Sequence, residues 1–280
     1  MKKRIEEHPI LSCITVFCIC GSARLIEYFG IRTDETILSE NFLHKVFGIA
    51  VLAIVLYLLR CGWQDIGFGK SGAVSGIAKG LLLGACCFLV AYFIESLILY
   101  HANGTVSFSF YVSGFSLSEE TAKQDSLLFF ALCILFNLIN VWMEEGVFRG
   151  LFMKSLAEER PFMENVLFIA FLFGLWHWVM PFRDYTEGKI SLAGLLAMGV
   201  GYILLAGMMS VKWSLLYKMT GTLWMGLGDH LFNNVIVTNL LHVISNNEAD
   251  SMQVVRVLIG QSLSFFIIAL YDKKTKTSIF

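Results

Sequence analysis

Residues 126–157 read SLLFFALCILFNLINVWMEEGVFRGLFMKSLA. From Leu127 to Met143 the stretch is almost wholly apolar, and then Glu144, Glu145 and Arg149 follow. A helix needs about 20 apolar residues to cross about 30 Å of hydrocarbon. Backbone groups in lipid must bond within their own segment, so a run this long is expected to be helical. The stretch exceeds one span, which predicts a helix that projects past the membrane or tilts, with charge buried along it.

Seven more apolar segments surround it, at 9–29, 43–60, 77–100, 163–180, 192–217, 222–244 and 254–271. Together they predict an all-α fold, a polytopic membrane helix bundle with about eight transmembrane helices. Composition agrees. The 280 residues are 56% hydrophobic and 15% charged, whereas soluble domains carry about 25% charged residues. No loop is long enough for a separate soluble domain, so 1–280 reads as a single membrane domain. A net charge of −1 without a long basic stretch excludes a nucleic-acid partner. The seven cysteines contain no CxxC pair and mostly sit in apolar runs, as small hydrophobes rather than disulfide or zinc ligands.

Charge bias orients the bundle. Lys2, Lys3 and Arg4 ahead of an apolar run imitate a signal peptide, but Arg24 and Glu27 stand where a small-residue cleavage site belongs. With segment one kept and both termini cytoplasmic, fourteen of the 21 basic residues fall inside and five outside. The inside set includes Arg149, Lys154, Lys212, Lys218 and Lys276. The outside set includes Arg183. The outer loops are acidic, with Asp34, Glu35 and Glu40, then Glu119, Glu120 and Asp125, then Glu248 and Asp250.

Ionisable residues within membrane segments are costly and mark candidate sites. Three clusters stand out. In the first, Glu145 and Arg149 are i,i+4 and share a helix face, so they can pair. Glu144 points about 100° away from that face and has no local partner, which suits a general acid or base. The competing reading is a salt-bridged helix end at the cytoplasmic interface. The second is Phe173-Gly174-Leu175-Trp176-His177-Trp178, in which His177 is either a packed core residue or a catalyst. The third is Asp229-His230-Leu231-Phe232-Asn233-Asn234. His230 and Asn234 share a face and can donate to one oxyanion, or can bond neighbouring helices instead, and Asp229 is expected to orient His230. Together the clusters supply a carboxylate, two imidazoles and a carboxamide from three segments, the parts for activating a water. There is no GxSxG, HExxH or Walker loop. Gly67-Phe68-Gly69-Lys70-Ser71-Gly72 only echoes a phosphate loop and reads as a turn.

The order and spacing of these clusters resemble the CPBP family, the CAAX proteases and bacteriocin-processing enzymes also called Abi, and within it the type II CAAX prenyl endopeptidases. Its pattern of EExxxR, FxxxH and HxxxN reads here as Glu144-Glu145 with Arg149, Phe173 with His177, and His230 with Asn234. The family domain would cover roughly 125–245, leaving 1–124 as transmembrane helices without diagnostic motifs. The resemblance implies an intramembrane endopeptidase. Glu144 and His177 would activate water, His230 and Asn234 would form the oxyanion hole, and Glu145, Arg149 and Phe173 would support the site. It leaves two chemistries open, a metal-free reaction without cofactor and a Zn²⁺ site on Glu144, His177 and His230. The first is favoured, since no i,i+4 His–His pair exists. The implied partners are the lipid bilayer and a membrane-associated protein or peptide substrate, such as a prenylated tail or a bacteriocin leader. The implied location is a prokaryotic cell membrane. The competing class is a non-enzymatic membrane protein such as an immunity factor, scaffold or transporter. Against transport, the chain has no inverted repeat and no paired broken helices.

Overall fold

The computed structural model describes residues 7–36, 40–113, 123–157 and 160–275. Lys2, Lys3, Arg4, Glu119, Glu120 and Lys276, which enter the charge argument, lie outside the described residues. Each apolar segment forms a helix. In chain order these are α1 (Pro9–Ile26), α2 (Leu43–Leu59), α3 (Ala73–Asn103) and α4 (Leu127–Leu156). They continue with α5 (Phe162–Trp176), the short α6 (Val179–Thr186), α7 (Leu192–Thr220), α8 (Trp224–Phe232) and α9 (Gln253–Thr275).

Six helical stretches among the described residues are long and apolar enough to cross a membrane, the fourth of them combining α5 and α6. The chain is a polytopic helical membrane protein. The eightfold expectation is met loosely. Helix α2 has only 17 residues. Helix α8 runs nine residues and then continues as an eight-residue π-helix, Asn233–Leu240.

Segment seven, expected to stay helical to 244, turns into a strand four residues earlier. Strands β1 (Ser107–Phe110), β2 (Leu241–Ser245) and β3 (Glu248–Ala249) form an antiparallel sheet in that order, with Phe108 opposite Val243. The signal was local. Asn246 and Asn247 both adopt positive φ, at 50° and 66°, as a two-residue hairpin turn demands and as asparagine tolerates.

The loops segregate to two faces. At one, the Leu223 amide donates to the Gly67 carbonyl at 3.0 Å, and Lys218 pairs with Asp272 at 2.9 Å. At the other, Arg183 pairs with Asp34 and Glu35, each at 2.6 Å, and the sheet ties the α3–α4 loop to the α8–α9 loop. Arg149 and Lys212 are no part of either face. Both are at most 1% exposed within helices, so they leave the inside charge count. The Gly67–Gly72 stretch lies in the α2–α3 connection, with positive φ at both ends, and is a turn.

Close packing fixes the helices that carry the polar clusters. A Cβ at Gly228 of α8 would lie 2.4 Å from the Ile77 carbonyl oxygen of α3. One at Gly174 of α5 would lie 2.7 Å from the Ile203 Cα of α7. Small residues let helix backbones approach where lipid supplies no hydrophobic drive between helices. One buried cluster, including Leu52, Met143, Phe148, Phe173, Trp176, Trp213 and Leu227, joins α2, α4, α5, α7 and α8 beneath the site.

Candidate active site

Helix α4 delivers the carboxylates. Its α-helical turns end at Glu144, and a π-helical stretch, Glu145–Phe152, follows. Such widened turns recur at functional sites because they re-aim side chains. Glu145 accepts from Arg149 Nη2 at 2.7 Å and from Nε at 3.1 Å, the fork expected from their spacing. The Arg149 guanidinium lies between aromatic faces, 4.2 Å from the Phe173 ring centre and 4.8 Å from that of Trp213. Both side chains of the pair are buried.

The structure adds to this pair of carboxylates two long-range partners that spacing on one helix does not supply. Glu144 is not without a partner, because Trp176 Nε1 donates to its Oε1 at 2.9 Å. Glu145 also does more than neutralise Arg149, since its Oε1 lies 2.9 Å from His230 Nδ1. The His230 Nε2 then faces Glu144 Oε2 at 3.6 Å. His230 is thus held by one carboxylate and directed at the other.

Asp229 does not orient His230. It accepts from Trp213 Nε1 at 2.8 Å and pairs with Lys212 Nζ at 2.5 Å. Its effect reaches the imidazole only through Trp213, whose ring stacks on His230 at 3.9 Å and 16°.

Helix α5 ends at Trp176, and His177 is the residue just past it. Its Nδ1 lies 2.8 Å from the Phe173 carbonyl, an acceptor only, so Nδ1 carries the hydrogen and Nε2 is left open. Phe173 meets the imidazoles of His177 and His230 edge-on, at 4.8 and 6.4 Å. Tyr202 of α7 stacks on the outer face of His177.

Glu144, His177, His230 and Asn234 all line one cavity of about 450 Å³ between α4, α5, α7, α8 and α9. Counting residues from the starts of apolar segments five and seven, 163 and 222, sets His177 about 9 Å deeper than His230, which calls for staggered starts. Gly150 of α4 packs on the Ile66 backbone, level with the turn that opens α8. Helix α4 continues six residues beyond, about 9 Å along its axis, before the chain turns into α5. The stagger is built into the α4–α5 connection.

The site does not present a metal-ligand set. Among the described residues no three His, Cys, Asp or Glu side chains are grouped to hold a metal ion. The His230 nitrogens address Glu145 and Glu144, and His177 Nδ1 addresses a carbonyl.

Sequence reasoning missed Trp176, Trp213, Lys212, Asn233 and Gln261. An indole N–H in an apolar helix needs an acceptor, which was the available signal for the tryptophans. Lys212 fell inside segment six and was nonetheless counted as a loop charge. Arg24 and Glu27 do not pair. Glu27 accepts from the His44 and Leu43 amides, and Arg24 lies over the Trp176 ring at 4.5 Å.

Fold and site together define a polytopic membrane protein with a carboxylate, two imidazoles and an amide around one internal cavity. Residues 126–236 match the family described as type II CAAX prenyl endopeptidase Rce1-like. In general terms the match is to CAAX-type intramembrane endopeptidases, peptide hydrolases that act on membrane-associated substrates. The match contains all seven motif residues and excludes α1–α3 and α9. Neither the curated proteins nor the solved structures contain a match to the chain.

Proposed function

We propose that the chain hydrolyses a peptide bond of a membrane-associated protein or peptide, with Glu144 and His177 activating the water. The carrying observation is that the four candidate reacting groups line one cavity. Glu144 takes a proton from the water, aided by the open Nε2 of His177. The hydroxide attacks the carbonyl carbon. His230, acting as the imidazolium with Nδ1–H held by Glu145, donates Nε2–H to the oxyanion beside the Asn234 amide. Collapse breaks the C–N bond as the proton on Glu144 passes to the leaving amine. Glu145, Arg149 and Phe173 hold the imidazoles in place.

The substrate is membrane-associated and carries an apolar portion. Met198, Leu205, Val254 and Leu258 of α7 and α9 line the cavity, and Met198, Val254 and Leu258 are exposed on the bundle's outer surface. That apolar slot suits a prenylated tail or the hydrophobic part of a leader peptide. The remaining basic excess of twelve to five, after removal of Arg149 and Lys212, supports both termini on the cytoplasmic side. Short loops suit a prokaryotic cell membrane.

The test is Glu144→Gln in purified, detergent-folded protein assayed against a peptide library. The substitution keeps shape and removes the base. A loss of about 10²–10⁴-fold in turnover is expected. Cleavage at the wild-type rate sinks the mechanism.

A further inference from the structure

A buried polar chain runs from Lys212 on α7 through Gln261 on α9 to the cavity. Lys212 is 1% exposed, and its Nζ reaches Asp229 Oδ2 at 2.5 Å, Gln261 Oε1 at 2.5 Å and Ser264 Oγ at 2.9 Å. An ammonium has three donors and no acceptor, so all three are used. The Gln261 oxygen must therefore face Lys212, which turns its amide nitrogen the other way. That nitrogen donates to Asn233 Oδ1 at 2.9 Å, and Asn233 Nδ2 donates to Asn234 Oδ1 at 3.1 Å. Asn234 is left with its own N–H₂ group without a protein acceptor among the described residues, at the cavity wall.

We propose that Lys212 and Gln261 are positioning residues that fix the polarity of the Asn234 amide, so that its nitrogen and not its oxygen meets the oxyanion. This rests on the reading of Asn234 as an oxyanion donor. An asparagine side chain is nearly symmetric in shape, and a flipped amide would present an acceptor to developing negative charge. Packing alone does not choose between the two orientations. A donor-only cation at the far end does, because each amide in a buried chain must match the next. The same Lys212 steadies the other donor, since Asp229 holds Trp213, which stacks on His230. Gln261 lies on α9, outside the family match at 126–236, so a helix beyond the match completes the site.

The deciding variant is Gln261→Glu, nearly isosteric, which still accepts from Lys212 but cannot donate to Asn233. It is assayed with a library peptide that the wild type cleaves, beside Asn234→Ala and the double variant. The expected result is a kcat lowered about tenfold to a hundredfold, toward the loss of one oxyanion donor, with KM within twofold. In the Asn234→Ala background the same change should cost no further kcat. Lys212→Arg, which keeps a donor-only cation, should retain more activity than Lys212→Met. Equal losses in the presence and absence of Asn234, or an unchanged kcat in Gln261→Glu beside a slowed Asn234→Ala, overturn the proposal alone. An unchanged kcat in Asn234→Ala, or a wild type that cleaves no library peptide, overturns the oxyanion reading as well.

Discussion

The protein buries two Glu–Arg–His ensembles, and they are built to opposite ends. Around the cavity, Arg149 pairs with Glu145, and Glu145 holds His230. Beneath the hairpin, Arg256 of α9 pairs with Glu95 of α3 at 3.0 Å and with Asp250 at 2.8 Å, and Asp250 bonds His242 of β2. Arg149, Arg256, Glu145 and Glu95 are all fully buried.

The difference lies in what remains unspent. Both nitrogens of His242 face protein acceptors, Asp250 on one side and the Tyr111 and Asn239 carbonyls on the other, while Tyr111 stacks on the ring. No ring nitrogen of His242 is left over. At the cavity, His177 keeps an open nitrogen, Asn234 an open amide, and Glu144 an oxygen at 3.6 Å from His230 rather than in a tight bond. A charge within a membrane segment flags a candidate site, and both ensembles carry the flag. Leftover bonding capacity facing a cavity separates the candidate site from the clamp.

Breaking the clamp should have the largest effect. Arg256→Ala strands two buried carboxylates, and removing one partner of a buried pair costs about 3–5 kcal/mol. Unfolding in detergent should show that loss, with turnover per folded molecule retained. A stability loss below about 1 kcal/mol would show that the hairpin is not locked from here. Asn234→Ala should do the reverse. It should lower kcat about 10²–10³-fold, as loss of an oxyanion donor does, and leave the melting temperature nearly unchanged.

Trp176→Phe tests the seam between packing and chemistry. It keeps an aromatic ring but removes the donor to Glu144. A hydrogen bond to a charged group is worth about 1.5–3 kcal/mol. The expected outcome is a loss of that order in stability together with a shifted pH profile of kcat. A profile identical to wild type would mean that the indole only packs.

Acid gives the smallest and most specific effect. Burial works against charge on Asp250, but the His242 hydrogen bond and the Arg256 guanidinium outweigh it and hold the carboxyl below the usual range. A carboxyl with a depressed folded-state pKa binds fewer protons folded than unfolded, so its stabilisation is present above the unfolded value and lost as pH falls through the folded one. Stability should therefore decline from about pH 4 downward, and the Asp250→Asn protein should lack that component. Melting curves across the acid range in both proteins would check it.

These contrasts mark where the sequence is legible. Glu145 and Arg149 could be paired from spacing alone, because residues four apart share a helix face whatever surrounds them. The eight apolar blocks became helices for an equally local reason, since lipid leaves the backbone no other partner. The hairpin at Asn246-Asn247 was also written locally, and was lost inside an apolar block whose β-branched end fits a strand as well as a helix.

What the sequence by itself determined was the helices, their faces and which polar residues were out of place. Tertiary structure alone decided the partners. Trp176 lies 32 residues from Glu144, His230 lies 85 from Glu145, and Gln261 lies 49 from Lys212. Periodicity tells which way a side chain points from its own axis, but not which helix stands opposite or at what depth. Those follow from how closely the glycine-lined faces of α3 and α8, and of α5 and α7, can approach, and from the six extra residues of α4 that stagger α5 against α8.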